Sequence, residues 1–342
     1  MKSQSPISEG NVLQLPDAGA FCPVCLTGAA RYFAKVRDRL FGIAPGSYHL
    51  YRCSSCGCIF QCPMPEDSAL AGFYPEGYWW DGDQQTASVI ARVFSQLEKT
   101  YREFVTLDHV RFLKRCAQRA RGSGRRLLDV GCGGGTFLHL SRRLGFAPHG
   151  LDVSSQAVSI AQRQYGLNVR QGSLAGNAWE GDRFDFITMF HVLEHLPDPR
   201  KALRFAVAHL TPGGSLVVQV PNADSFQARL FGARWYGLDV PRHVINFTRR
   251  GLQQLLIEAG LEGRVFSRFS LRDNPASLAS SLAPMLDPIG RKGRGLKAGS
   301  LPGAVAELTY FALFLIAVPF TAIESALGSG GTLWVHARLR SS

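Results

Sequence analysis

Arg126-Leu127-Leu128-Asp129-Val130-Gly131-Cys132-Gly133-Gly134-Gly135-Thr136-Phe137 is the stretch on which the fold turns. Its first five residues read as a buried strand with an acid near the end. Glycines at alternate positions, 131, 133 and 135, then let a ligand approach the backbone closely. From Thr136 the pattern turns helical. The loop therefore closes on a helix N-terminus, whose free N–H groups favour a carboxylate or a phosphate.

Outward from this stretch the same rhythm repeats. Strands are predicted at 126–130, 148–153, 168–171, 184–190, 215–220, 264–269 and 332–338. Helices are predicted at 136–144, 155–165, 199–210 and 248–259. Thr211-Pro212-Gly213-Gly214 stops the third helix, Thr248 caps the fourth, and Gly260 ends it. Such alternation predicts an α/β fold with a doubly wound, mostly parallel, seven-stranded sheet that holds ligands at the C-terminal ends of its strands. Irregular insertions interrupt it at 223–247 and 271–330.

Three loop chemistries compete for the ligand. A phosphate-binding loop of the Gly-Lys-Ser/Thr kind is rejected, because Thr136 follows Gly135 with no lysine. A dinucleotide fingerprint matches at Gly131 and Gly133 but meets Thr136 at its third position. Asp129, just ahead of the loop, would repel a pyrophosphate and attract an ammonium. Asp152, at the end of the second strand, is placed for both hydroxyls of a ribose. An amino-acid ammonium joined to an unphosphorylated ribose describes S-adenosylmethionine.

Residues 126–270 resemble class I S-adenosylmethionine-dependent methyltransferases. The motifs that carry the resemblance are Leu128 to Gly135, Gly150-Leu151-Asp152, Phe184-Asp185-Phe186-Ile187, Val192-Leu193-Glu194-His195-Leu196-Pro197-Asp198-Pro199 and Leu210-Thr211-Pro212-Gly213-Gly214. The segment from Trp235 to Phe247, with Pro241-Arg242-His243, resembles bacterial members that act in glycan, lipid or secondary metabolism. The resemblance implies a Rossmann-like methyltransferase domain over 125–342. It implies that Asp129, Gly131 and Gly133, with Cys132 among them, contact the methionine end. Asp152, with Val153 beside it, takes the ribose. Ser173 and Leu174 stand where the family often has an acid for the adenine, and His191 lines the cofactor pocket.

Six of the eight cysteines lie between residues 22 and 62, which is not the spread of a disulfide framework. Cys22-Pro23-Val24-Cys25 and Cys53-Ser54-Ser55-Cys56 form two knuckles able to place four thiolates around one structural Zn²⁺. Residues 21–63 hold few apolar side chains, so a metal staple suits them. They also resemble the zinc ribbon attached to several such methyltransferases, sugar C-methyltransferases among them. Cys58 and Cys62 read as non-ligands, with an exchange of Cys58 for Cys56 left open. Residues 1–20 read as a flexible tail, and no signal peptide is expected there. Residues 64–124 read as a linker rich in aromatics (Phe73, Tyr74, Tyr78, Trp79, Trp80) followed by a helix over 85–121. Ile90, Val93, Phe94, Leu97, Tyr101 and Phe104 form its apolar stripe, and its end is basic.

Methyl transfer to a hydroxyl or an acidic carbon needs a base. His191, His195 and His243 are the candidates, with His243 and His191 chosen as catalytic residues and Tyr236 and Asp239 as weaker candidates. His191-Val192-Leu193-Glu194-His195 also matches a zinc-peptidase signature, but it straddles a strand end and a turn where that chemistry needs a helix. In the second insertion, a basic run at 291–297 precedes sixteen uncharged residues, 308–323, flanked by Glu307 and Glu324. That is short of the roughly 20 a spanning helix needs, so a hairpin or interfacial helix pair is expected, with peripheral membrane contact through 291–327. The net charge of +12 suits anionic partners. Three hypotheses follow: methyl transfer to a sugar, glycan or lipid-linked acceptor by a cytoplasmic protein at the membrane's inner face; RNA base methylation using the ribbon and basic surface; and a non-catalytic binding module on the same scaffold.

Overall fold

The structure is a computed structural model, which describes residues 20–74, 89–119, 124–176, 178–293 and 301–339. A small sheet comes first, with β1 (Ala30–Val36), β2 (Tyr48–Cys53) and β3 (Ile59–Gln61). The short helix α1 (Asp67–Leu70) and the long helix α2 (Val89–Arg119) follow. Then β4 (Arg126–Val130), α3 (Thr136–Arg142), β5 (Ala147–Asp152), α4 (Ser155–Tyr165), β6 (Asn168–Gln171), β7 (Phe184–Phe190), α5 (Pro199–His209) and β8 (Leu210–Pro221) come in sequence. The remainder comprises α6 (Phe226–Phe231), β9 (Ile245–Asn246), α7 (Arg249–Glu258), β10 (Leu261–Ser267), α8 (Asn274–Leu282), α9 (Pro288–Gly293), α10 (Leu301–Ala326) and β11 (Thr332–Leu339).

The main sheet has seven strands in the order β10-β11-β8-β7-β4-β5-β6. The five from β8 to β6 run parallel, and β11 lies antiparallel between β8 and β10. All seven predicted strands are present. Leu127, Leu128, Ile187, Leu216, Val218 and Val335 are fully buried, as expected of strands covered on both faces. The chain winds outward from β4 to β6 and returns on the other side of β4 as β7. That reversal opens a crevice at the C-terminal ends of β4 and β7, where Gly131 and His191 stand.

The ribbon does not stand apart from this body. β9, from the first insertion, pairs with β3 and completes a four-stranded sheet, with Phe60 opposite Ile245. Val24 and Phe60 share a core with Val244, Phe247 and Leu252. Thr248 caps α7 by accepting the Gly251 N–H at 3.0 Å, and its hydroxyl donates to the Cys56 carbonyl at 2.5 Å. One threonine thus starts a helix of the large domain and ties down a cysteine knuckle.

Three expectations change. The helix expected over 85–121 is described at Val89–Arg119, where its buried face carries Val105, Val110, Phe112, Leu113 and Cys116, while Tyr101 and Phe104 are each 53% exposed; the side chains of Ile90, Val93, Phe94 and Leu97 lie outside the described residues. The packing partners cover the C-terminal half of α2 and leave Tyr101 and Phe104 outside. The predicted stop at 211–214 shortens α5 by one residue, and β8 already begins at Leu210. The hairpin or helix pair expected in the second insertion is one continuous 26-residue helix, α10, with Pro319 inside it. Charges that bound an apolar run need not bound a helix, because glutamate is a good helix former. Exposed Glu307 continues α10, and Glu324 is buried where Gln227 donates to it through its side-chain and backbone N–H. The tail over 1–19, Tyr78, Trp79, Trp80 and residues 294–297 lie outside the described residues.

Candidate active site

The glycine loop has the backbone that its sequence requires. Gly131, Gly133 and Gly135 take φ of +70°, +51° and +82°, a region that side chains disfavour. A Cβ on Gly131 would stand 2.5 Å from Val192, and one on Gly135 2.6 Å from Leu167. The Gly131 N–H donates to the Leu151 carbonyl at 2.7 Å, clamping the loop to β5. At the end of β5, Asp152 accepts the Gly133 N–H at 2.8 Å and the Ser154 N–H at 2.9 Å. Its carboxylate is held against the loop, and burial pushes its pKa up. Val153, next to it, is 65% exposed.

Asp129 is buried at the seam of β4 and β7, where it lies opposite Thr188. The Thr188 hydroxyl donates to it at 2.6 Å. Burial pushes this carboxyl up to about 7; the Thr188 bond opposes the shift and nearby Asp152 adds to it. Cys132 is buried beneath the loop, its sulfur occupying the space that a Cβ on Gly150 would need. Ser173 is exposed and accepts the Ala175 N–H at 3.3 Å, with Leu174 half-buried beside it. Asp129, Gly131, Cys132, Gly133 and Asp152 therefore converge on one cradle, and Ser173 and Leu174 lie beyond the end of β6.

His191 closes the crevice from the β7 side, with φ of +55°. Its Nδ1 lies 3.1 Å from Glu194 Oε1 and its Nε2 3.3 Å from Asp273 Oδ2. Burial alone would lower its pKa, but the two carboxylates override this and raise it to about 9. Asp273 sits at the start of α8 and also accepts from Gln219 and Ser270, at 2.8 and 2.7 Å. Gln219 in turn meets fully buried His109, which burial holds neutral, near pKa 3. The second insertion thus reaches the crevice and fixes a charged imidazole there. Two carboxylates thus face the two ring nitrogens of His191.

The sign of its pH effect is fixed by the raised pKa. The stabilisation is full below the unfolded value near 6.5 and is lost as pH rises through about 9. Wild-type melting temperature is expected to fall between those values, and His191→Asn to flatten that limb. An unchanged slope in the variant would remove His191 from the titration.

Glu194, His195 and His243 form the next group. Glu194 is wholly buried, and its Oε2 has no hydrogen-bond partner among the described residues. His195 Nδ1 lies 3.0 Å from both the Arg242 carbonyl and the Tyr74 hydroxyl. Burial and the charge of His243 hold His195 down near pKa 4. His243 donates its Nδ1 proton to the Gly237 carbonyl at 2.8 Å, which turns Nε2 the other way. The two rings stand edge to face at 4.7 Å, and Asp239 lies 3.9 Å from His243 Nε2. The peptidase signature does not form, since residues 193–195 make a single 3₁₀ turn rather than a helix.

Arg242, flagged only as part of a motif, is the organiser of this corner. Its guanidinium is 1% exposed and binds two carboxylates, Asp239 at 2.7 Å and Asp38 at 2.8 Å. It also donates to the Phe73 carbonyl at 3.1 Å and lies over the Phe41 ring. Thr188, Gln219 and Asp273 were likewise missed, for each looks like an ordinary strand or turn residue until its partner is known.

At the ribbon, Cys22, Cys25, Cys53 and Cys56 are all buried and bring their sulfurs within 4.8 Å of one another. Cys22 and Cys56 are 3.6 Å apart, and Cys25 and Cys53 3.4 Å. Four converging thiols are the donor set that a tetrahedral Zn²⁺ takes. Cys58, beside Cys56, also lies 3.7 Å from the Thr248 hydroxyl.

Known proteins match the same region. Residues 100–264 fit the family model described as a methyltransferase domain. The ubiquinone biosynthesis O-methyltransferase of Coxiella burnetii is 31% identical over 144 residues, covering 41% of this chain; this chain spans only 59% of that relative's length. The protein of the same name from Cereibacter sphaeroides is 31% identical over 171 residues, 47% of this chain and 68% of that one. A solved S-adenosylmethionine-dependent methyltransferase of Thermotoga maritima is 19% identical, covering 72% of this chain and 92% of that one, with a TM-score of 0.43.

Proposed function

Because the chain belongs to the class I S-adenosylmethionine-dependent methyltransferase family, we propose that it methylates a small or lipid-linked acceptor, a sugar, glycan or lipid intermediate. The observation that carries this reading is the cradle of Gly131, Gly133 and Asp152 at the switch point of the sheet. Bound S-adenosylmethionine supplies a methyl group made electrophilic by its sulfonium. Asp152 offers its carboxylate to the ribose, and Asp129 an anionic neighbour to the ammonium. His191, Glu194 and Asp273 fix the wall of the crevice. His243 is the proposed base, since the Gly237 carbonyl holds its Nδ1 and turns its Nε2 toward Asp239, 3.9 Å away. Alignment of donor and acceptor supplies most of the acceleration in such a transfer.

A structural Zn²⁺ is proposed at Cys22, Cys25, Cys53 and Cys56, where it would rigidify the ribbon that supports the first insertion. Contact with a membrane surface is proposed for α10. One face, with Ala317 and Thr321 buried in it, packs on α8, where Ser325 accepts from Asn274 and Tyr310 meets Ser280. The other exposes Val305, Leu308, Phe311, Leu315, Ile316 and Phe320. The segment from Pro302 to Ala326 contains an 18-residue window of mean hydropathy 1.8 and meets the length for crossing a bilayer, yet β11 returns to the sheet a few residues later. A helix lying on the surface, near exposed Arg229 and Arg249, satisfies both facts.

Calorimetry tests the core of this reading. Wild-type protein is expected to bind S-adenosylmethionine, and Asp152→Ala to bind it about ten- to a hundredfold more weakly, the size of a lost charge-assisted bond. His243→Gln should keep that affinity and lose roughly 10²- to 10⁴-fold in turnover, once lipid and metabolite extracts reveal an acceptor gaining one methylene in mass. No heat with the wild type would end the methyltransferase reading.

A further inference from the structure

A small open pocket, with a cavity volume of about 40 Å³, lies apart from the cofactor cradle, where the ribbon meets both insertions. Its lining includes Arg37, Arg39, Arg234, Asp239, Ser280 and Asp287. Just past β1, Arg37 and Arg39 are exposed on either side of Asp38, which is buried against Arg242. Arg39 Nη1 donates to the Arg234 backbone carbonyl at 2.9 Å, which ties the Arg39 side chain to the segment that carries Arg234. Among the described residues, none of these three arginines is in an ion pair with a carboxylate. The acids in the lining are already engaged. Asp239 is held by Arg242, and Asp287 accepts from the Ser280 hydroxyl at 2.7 Å and the Gly290 N–H at 2.8 Å. Burial and the charge of Arg234 both depress the pKa of Arg39.

Like charges gathered without a counter-ion repel one another, and a bound anion relieves that repulsion. Guanidinium forks match the oxygens of a phosphate group better than a point charge does. Two neighbours suggest whose phosphate it is. On one side Asp239 reaches to within 3.9 Å of His243 Nε2. On the other, the segment that supplies Ser280 carries Leu282 and Met285, 59% and 66% exposed.

We infer that this pocket binds a phosphate ester, carried by the acceptor, between the His243 corner and an apolar surface. The second half of that inference rests on the methyltransferase reading; the anion site itself does not. Inorganic pyrophosphate is the first probe, titrated into the full chain at low salt. The wild type should bind it, Arg39→Ala and Arg234→Ala should each lose about tenfold, and the double variant more. Arg163→Ala, on exposed α4, is the control and should change nothing. Calorimetry with S-adenosylmethionine on the same variants separates the two readings, since the cradle should be untouched. Vesicles with and without phosphatidylglycerol, set against a soluble nucleoside diphosphate, distinguish a lipid source from a free ester. Arginine-dependent binding in either arm supports the site and names its source. Pyrophosphate that does not bind, or binds equally to the double variant, overturns it.

Discussion

Arg242→Met is expected to cost about 3–5 kcal/mol of folding stability, the usual result of leaving a buried carboxylate without its partner. Two carboxylates lose that partner here. Asp38 is 1% exposed and Asp239 13%, and both depend on the one guanidinium. Asp38 further accepts the N–H groups of Phe41, Ile43 and Ala44, at 3.2, 3.2 and 3.3 Å, so the loop it organises is stressed as well. Lysine should recover only part, because a point charge cannot serve both acids and lie over the Phe41 ring. Urea denaturation measures this directly, and a loss below about 1 kcal/mol would mean that the pairs are not coupled to folding. The pH dependence gives a second check. Burial raises both acids, yet Arg242 overrides it and holds both below their ordinary 3.8. Their stabilisation is present above about 4 and lost as pH falls further. Arg242→Met should therefore flatten the acid limb of the stability curve.

The arginine illustrates what a sequence conveals and what it reveals. The glycine loop, Asp152 and the paired cysteines are legible because each function is written in neighbouring residues: a turn that excludes side chains, an acid at a strand end, two thiols two residues apart. The order of strands follows equally from the βαβ rhythm. Arg242 and Asp38 are 204 residues apart and meet only when the ribbon folds onto the first insertion. His191 reads in the sequence as a histidine at a strand end, and the structure adds Asp273, from the second insertion, 3.3 Å from its Nε2. That partner lies 82 positions away, and no local pattern marks it. The long helix α10 was misjudged for a different reason. Its apolar run was counted between two glutamates, although helix ends are set by caps and breakers rather than by charge.

Removing the Zn²⁺ proposed at Cys22, Cys25, Cys53 and Cys56 is expected to have the largest effect, and to separate cofactor binding from turnover. Structural Zn²⁺ contributes apparent free energies of about 10–16 kcal/mol in isolated zinc-finger peptides. The ribbon here also leans on the large domain, so part of that loss should be absorbed. A fall of about 10 °C or more in melting temperature is the expectation on chelation or in Cys53→Ser, given a few degrees per kcal/mol at this size. The loss should travel along one route. β3 gives its edge to β9, the Gln61 N–H donates to the Val244 carbonyl at 3.0 Å, and His243 immediately precedes that residue. A ribbon without its staple therefore releases His243 and Arg242 while leaving the β4–β5 cradle, which shares no strand pairing with it, in place. Metal-depleted protein should keep most of its affinity for S-adenosylmethionine and lose turnover. Elemental analysis showing far less than one zinc per chain, with melting unmoved by chelator, would remove the metal from this scheme. Loss of cofactor binding in step with the metal would show instead that ribbon and cradle fold as a single unit.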